Sequence, residues 1–239
     1  MKASTGRFAH LLVLTLGIVL CTPLVVVSAF AQVVNSEKNP LQVALLHWYA
    51  ANVATTFPIG GGGPMAFDGT YMWVCNSGGS SLSKVRVNDG TTATISLPGA
   101  SGYIAYDGAN MWVTSGSGLV EVQASTGTVL GTFPVGSGPA GVAFDGTNIW
   151  VANAGSNNVM QIQPSTGNIL GTFNVGTAPV GLAFDGNNMW VTNSGSNNVM
   201  KLSGKGKVLG TFAVGTAPVW ISFDGSHMWV ANQNSKQRN

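Results

Sequence analysis

The chain has 239 residues, of which 45% are hydrophobic and only 8% charged, with 33 glycines and a net charge of +2. So few charges, nearly balanced in sign, exclude a nucleic-acid binder, which needs a basic stripe to displace counterions; the pairs Lys84/Arg86 and Lys205/Lys207 fit solvated strand edges or turns. Two cysteines, Cys21 and Cys75, supply no disulfide framework, so the fold must hold by packing.

At the N-terminus, Lys2 and Arg7 precede an apolar run from Leu11 to Val27, and Ala29-Phe30-Ala31 follows as a small-x-small site. This pattern predicts a secretory signal peptide over residues 1–31, cleaved after Ala31. An uncleaved anchor is the alternative, because the run is nearly long enough to span a bilayer; the polar stretch from Gln32 to Asn39 argues against it. Leu20 stands before Cys21 where a lipoprotein signal wants a small residue, so no lipid anchor is expected. Cleavage would leave 208 residues (239 − 31) with eight basic and eight acidic side chains, secreted or periplasmic, without a stable membrane anchor. Cys75 would then be the lone thiol, a small buried residue standing where other repeats carry Ala152, Thr192 or Ala231.

Residues 32–52 form a separate N-terminal segment. Asn39 as cap and Pro40 at the first position predict a helix running to Ala51, with Leu41, Leu45 and Trp48 as its apolar stripe. Such a helix is expected to cover an open edge or rim.

From residue 53 to 239 one phrase returns five times: an aromatic, Asp-Gly, then Trp, at Phe67 to Trp73, Tyr106 to Trp112, Phe144 to Trp150, Phe184 to Trp190 and Phe223 to Trp229. The starts lie 39, 38, 40 and 39 residues apart. A period near 40 built of short alternating runs and Gly-rich turns predicts an all-β propeller of about five four-stranded blades. In the third repeat the strands read Ala140 to Phe144, Ile149 to Asn153, Val159 to Gln163 and Ile169 to Val175. The tryptophans Trp73, Trp112, Trp150, Trp190 and Trp229, and the aromatics Phe67, Tyr106, Phe144, Phe184 and Phe223, are expected to form the repeat core, each large ring packing between blades. Asp68, Asp107, Asp145, Asp185 and Asp224 each stand alone before Gly, which fits turn chemistry and lacks the dense ligand spacing of a calcium loop.

The two ends of the array complement one another. Thr56-Phe57-Pro58-Ile59-Gly60 matches Thr132-Phe133-Pro134-Val135-Gly136, an outer strand, while Val219 to Phe223 and Met228 to Ala231 match two inner strands. The last blade is therefore incomplete. Either the N-terminal strand closes it as a three-stranded blade, or the chain is a truncated piece of a longer array.

The run Trp190-Val191-Thr192-Asn193-Ser194-Gly195-Ser196-Asn197-Asn198-Val199, followed by Val208 to Gly215 and Pro218, resembles the YVTN-type β-propeller repeat, with Trp where that motif has Tyr. The likeness covers nearly all of residues 53 to 232 and is also similar to NHL repeats and streptogramin-lyase propellers. The lyase relatives imply a possible enzyme with a histidine and acidic residues around magnesium near the axis. Outside the leader this sequence offers only His47, His227, Glu37 and Glu121 beyond the turn aspartates and Asp89, and none matches that constellation residue by residue. It has no Gly-x-Ser-x-Gly elbow, no paired cysteines and no phosphate-binding glycine loop.

The expected function is therefore a non-enzymatic interaction scaffold with no cofactor and no bound metal, whose partner is a protein, a glycan or a neutral polar ligand. The alternative is a degenerate lyase-like or hydrolytic propeller. Candidate ligand residues are Asn76, Asn153, Asn193 and Asn232, which recur with Ser115 at one loop position and would otherwise satisfy loop backbone. Tyr103 and Trp220 join them, because they put rings at the channel mouth where other repeats have Gly141 and Gly181.

Overall fold

The computed structural model describes residues 57–234, so the predicted leader and the predicted helix at residues 40–51 lie outside the described residues. Among them the regular secondary structure is all strand. The first sheet is β1 (Met65–Phe67), β2 (Tyr71–Cys75), β3 (Ser81–Arg86) and β4 (Thr92–Ser96). The second is β5 (Ser101–Tyr106), β6 (Asn110–Ser115), β7 (Gly118–Gln123) and β8 (Val129–Phe133). The third is β9 (Pro139–Phe144), β10 (Ile149–Asn153), β11 (Asn158–Ile162) and β12 (Ile169–Asn174). The fourth is β13 (Pro179–Phe184), β14 (Asn188–Asn193), β15 (Asn198–Ser203) and β16 (Val208–Ala213), and the fifth holds only β17 (Pro218–Phe223) and β18 (Met228–Asn232).

Each four-stranded sheet is an antiparallel meander with its strands in sequence order, the pattern of a propeller blade. The inner strands follow one another around the centre: β1 packs on β5, β5 on β9, β9 on β13 and β13 on β17. At Gly141 and Gly181 an added Cβ would run into the carbonyl oxygens of Val180 and Val219 on the next inner strand, so glycine is what lets those strands approach.

The period-two alternation of side chains places each blade's core on two faces. Trp150, Ala152 and Val159 on one face of the third blade pack against Met189, Val191 and Leu202 on the facing side of the fourth. The same scheme joins blades one and two through Trp73, Cys75 and Leu82 against Met111, Val113 and Val122, and blades two and three through Trp112 and Leu119 against Ile149, Val151 and Ile162. Trp112, Trp150 and Trp190 also tilt against Phe133, Phe173 and Phe212 of their own outer strands, with ring centroids 5.5, 5.6 and 5.5 Å apart. Cys75 is buried in this core, which pushes its thiol up to about 12.

The structure departs from the sequence reading at both ends. Trp73, Trp112 and Trp150 are fully buried, but Trp229 is 65% exposed. Among the described residues the fifth sheet has neither a third nor a fourth strand, and β17 makes no contact with β1 comparable to that between successive inner strands. Nothing among the described residues therefore covers this ring. The repeated aromatics lie at the margin of the core rather than within it: Tyr106, Phe144 and Phe184 are partly buried against the clusters, and Phe67 is 49% exposed.

Residues 57–60 form no strand and do not join the fifth sheet. They nevertheless take an outer strand's place against blade one. The Phe57 ring lies over Gly90 as Phe133 lies over Gly167 and Phe173 over Gly206, and Gly60 meets the Asn76 side chain as Gly136 meets Asn153.

Large-to-small replacement of a buried ring removes both its transfer free energy and its packing contacts. Trp150→Ala is expected to cost about 3–5 kcal/mol, whereas Trp229→Ala is expected to cost less than about 1 kcal/mol because the ring is already in solvent. Urea denaturation of the two variants measures the difference.

Candidate functional site

The strand order gives the array two rims, one carrying the Asp-Gly turns between first and second strands, the other the second-to-third-strand loops and the connections between blades.

On the turn rim every repeat closes in the same way. In blade three Asp145 Oδ1 accepts the backbone N–H groups of Thr147 at 2.8 Å and Asn148 at 2.6 Å, and its Oδ2 accepts the indole N–H of Trp150 at 2.6 Å. Asp68, Asp107, Asp185 and Asp224 do the same for Trp73, Trp112, Trp190 and Trp229 at 2.7–2.8 Å. Turn geometry alone explained these aspartates in the sequence. The indole bond was missed, although the constant Asp-to-Trp separation of five residues signals it.

This clamp commits most of the acids. Asp185 is held at about 2: burial alone would raise it, but the Trp190 indole, the amides of Asn187 and Asn188 and the Lys201 ammonium at 3.6 Å together outweigh burial. Asp224 also lies below the ordinary carboxylate value, led by its bond from Trp229. In blade two the residue opposite Trp112 is Glu121, which burial and the neighbouring Asp107 push upward while Asn110 Nδ2 donates to it at 2.7 Å. Lys84, expected on a solvated strand edge, is buried instead. Its ammonium lies 4.3 Å from the Tyr71 ring centre and 4.9 Å from that of Trp73, and donates to the Ala124 carbonyl of blade two at 2.7 Å, so the cation ties two blades together. Arg86 is exposed and pairs with Asp89 at 3.6 Å. His227 sits in the fifth Asp-Gly turn, where its backbone N–H bonds Asp224. Among the described residues no three His, Cys, Asp or Glu side chains gather as metal ligands would.

The loop rim is neutral. Asn153 and Asn193 are fully buried and donate through Nδ2 to Asn158 Oδ1 and Asn198 Oδ1 at 2.9 and 2.8 Å. Asn76 donates to Ser81 Oγ and accepts from Ser83 Oγ at 2.9 Å, and Ser115 bonds Ser117. Blades three and four put Met160 and Met200 where blade one has Ser83, which removes that donor. The buried Oδ1 atoms of Asn153 and Asn193 consequently accept no hydrogen bond, and neither does that of Asn232, whose sheet has only β17 and β18 among the described residues.

The backbone of this rim is also unusual. Asn157, Ala178, Asn197 and Ala217 adopt left-handed φ values of 54, 49, 55 and 53° and are the only non-glycine residues to do so among those described. The four are coupled: Asn157 Oδ1 accepts the Ala178 N–H at 2.8 Å, and Asn197 Oδ1 accepts that of Ala217 at 2.9 Å. In blades three and four the second-to-third-strand loop thus holds the connection to the following blade. Residues strained in this way persist only where surrounding bonds over-determine them.

Tyr103 on β5 and Trp220 on β17 reach across the centre between blades that are not sequential neighbours, and their rings meet at 5.1 Å and 44°. Trp220 is 50% exposed, while burial raises the Tyr103 phenol. An irregularity in the pairing of β5 with β6 frees the Tyr103 amide, which donates to Thr114 Oγ1 at 2.8 Å. Structure therefore brings these two rings together, but sets the candidate asparagines apart from them as buried supports of the loops.

No family model matches the chain, and no curated protein matches it significantly. Solved structures do resemble its fold. A catalytically inactive virginiamycin B lyase from Staphylococcus aureus, crystallised with quinupristin, superposes with a TM-score of 0.61 at 21% identity, over 71% of this chain and 62% of that one. Kuenenia stuttgartiensis hydrazine synthase gives 0.63 at 18% over 75% and 58%, and a nidogen/laminin complex 0.60 at 17% over 71% of each chain. The chain spans about three fifths of the length of the lyase structures. At these identities the likeness shows the fold, a β-propeller.

A carboxyl whose folded value is depressed stabilises the fold above its unfolded value and loses that contribution as pH falls through the folded one. For Asp185 the window runs from the ordinary 3.8 down to about 2. The urea midpoint is expected to hold steady from neutral pH to about 5 and then fall steeply toward pH 2, with a shallower fall in Asp185→Asn; equilibrium unfolding across that range checks it.

Proposed function

We propose that this chain is a YVTN-type propeller scaffold, exported by its leader and cleaved after Ala31, that binds a neutral polar partner, a glycan, at its loop rim without chemical turnover. The observation that carries this reading is the half-exposed Trp220, stacked on Tyr103 and flanked by Asn232 and Gln233, at the end of the strands where the four left-handed non-glycine residues lie. Strain held in place by cross-loop bonds marks a surface shaped beforehand for a ligand. An exposed indole beside hydroxyl and amide groups suits a sugar, which offers an apolar ring face and neutral hydroxyls.

The lyase reading draws on the fold shared with virginiamycin B lyase. Against it stands the engagement of all five turn carboxylates with indole N–H groups, and the place of His227 on the turn rim, at the far end of its strands from the asparagines.

A glycan array probed with the purified chain, followed by titration of any hit, tests the proposal. Binding should weaken by about tenfold or more in Trp220→Gly combined with Tyr103→Ala, with the thermal melt otherwise preserved. Absence of glycan binding together with magnesium-dependent cleavage of quinupristin would replace the proposal with the lyase reading.

A further inference from the structure

In four blades a third-strand residue stands opposite the repeat tryptophan: Lys84 to Trp73, Glu121 to Trp112, Gln161 to Trp150 and Lys201 to Trp190. Two of them bond across a blade boundary. Lys84 Nζ donates to the Ala124 carbonyl of blade two at 2.7 Å, and Gln161 Nε2 to the Gly204 carbonyl of blade four at 3.1 Å. Each acceptor lies two residues after an aliphatic side chain, Val122 or Leu202, that packs in the same core cluster as the tryptophan concerned. Lys201 faces a sheet with no third or fourth strand among the described residues, and pairs with Asp185 instead.

Between blades two and three the same arrangement has an acceptor but no donor. Ile162 packs in the cluster of Trp112, and the carbonyl two residues further on belongs to Pro164. None of the hydrogen bonds among the described residues ends on it. The side chain in the donor's position is Glu121, and an ionised carboxylate has no hydrogen to give. Its Oε1 accepts from Asn110 Nδ2 at 2.7 Å, which leaves Oε2 to carry a proton. Glu121 is half-buried between Trp112 on β6 and Gly131 on β8, and Asp107 is the charged group that acts on it. On the blade-three side residues 163–167 are uncharged, and Asp145 is bound to Trp150. Burial first, and Asp107 second, favour the neutral acid over the bond from Asn110 and hold Glu121 above the ordinary 4.5.

We infer that protonated Glu121 supplies the missing donor at the seam between blades two and three, its Oε2–H bonding the Pro164 carbonyl as Lys84 bonds Ala124 and Gln161 bonds Gly204. The seam is thus a pH-sensitive latch. The proton comes from solvent, and the bond is present below the folded-state value of Glu121 and lost as pH rises through it. Because Tyr103 packs against the same cluster, the latch acts on the seam that supports one of the two stacked rings.

Heteronuclear magnetic resonance of the purified chain from about pH 4 to about pH 8 tests this, read at the Pro164 carbonyl carbon and at the Ser165 amide nitrogen of the same peptide group. As pH falls both resonances should move downfield, with the midpoint of the Glu121 carboxyl. Glu121→Gln should hold both at their acid positions at every pH, as Gln161 does for its own acceptor. Glu121→Leu, neutral but without a donor, should hold them at their alkaline positions. Resonances of Pro164 and Ser165 that stay still while Glu121 titrates would overturn the inference. A Glu121→Leu chain that matches Glu121→Gln would also overturn it, because loss of charge rather than a hydrogen bond would then account for the shift.

Discussion

The bond from each repeat tryptophan to the aspartate five residues before it is the constraint on which the rest of the array depends. An indole buried between blades must satisfy its N–H, since an orphaned buried donor costs about 1–3 kcal/mol. The same carboxylate also ends the first strand and starts the second by accepting two turn amides, as Asp145 does for Thr147 and Asn148. One side chain therefore fixes the hairpin's turn and the orientation of the ring that joins that hairpin to the next blade. Local geometry and long-range packing are set by a single residue, and the repeat carries both forward together.

Stacking such units yields an object with direction. Every blade presents Trp on one side and a Met/Val or Ile/Val surface on the other, so any stretch of the array must end in one face of each kind. It also has two chemically distinct rims. The five repeat aspartates collect where first and second strands turn, where they form the clamps. Amides, hydroxyls and left-handed residues collect where blades connect. The charged rim is occupied with holding the fold, and the neutral rim of blades three and four is held in shape by bonds between neighbouring loops.

Much of this was legible in the sequence because it repeats. The blade period, the strand order and the burial of Trp73, Trp112 and Trp150 follow from spacing and alternation, and Cys75 could be placed in the core by comparing it with Ala152 and Thr192. What escaped were features that depend on what lies opposite. Trp229 carries the same pattern as Trp150, but among the described residues no outer strand or following blade covers it. Lys84 occurs on a strand with a polar rhythm, yet two aromatic rings of the neighbouring strand and the carbonyl of Ala124 across the blade boundary draw it inside. The recurring asparagines could be aligned, but that Met160 and Met200 deprive two of them of the donor Ser83 gives Asn76 is a cross-strand fact. Likewise, the positions of Tyr103 and Trp220 were visible as departures from glycine, whereas their contact across the centre requires the curvature of the whole array.

Each clamp is a specific bond from indole to carboxylate, and the side-chain N–H resonances of the chain's seven tryptophans report it most directly. In a nitrogen-proton correlation spectrum the repeat tryptophans should stand downfield of Trp220, and Asp145→Ala should move the Trp150 resonance upfield while leaving that of Trp73 in place. An unshifted Trp150 signal in that variant would contradict the account, because the ring would then be held without the carboxylate.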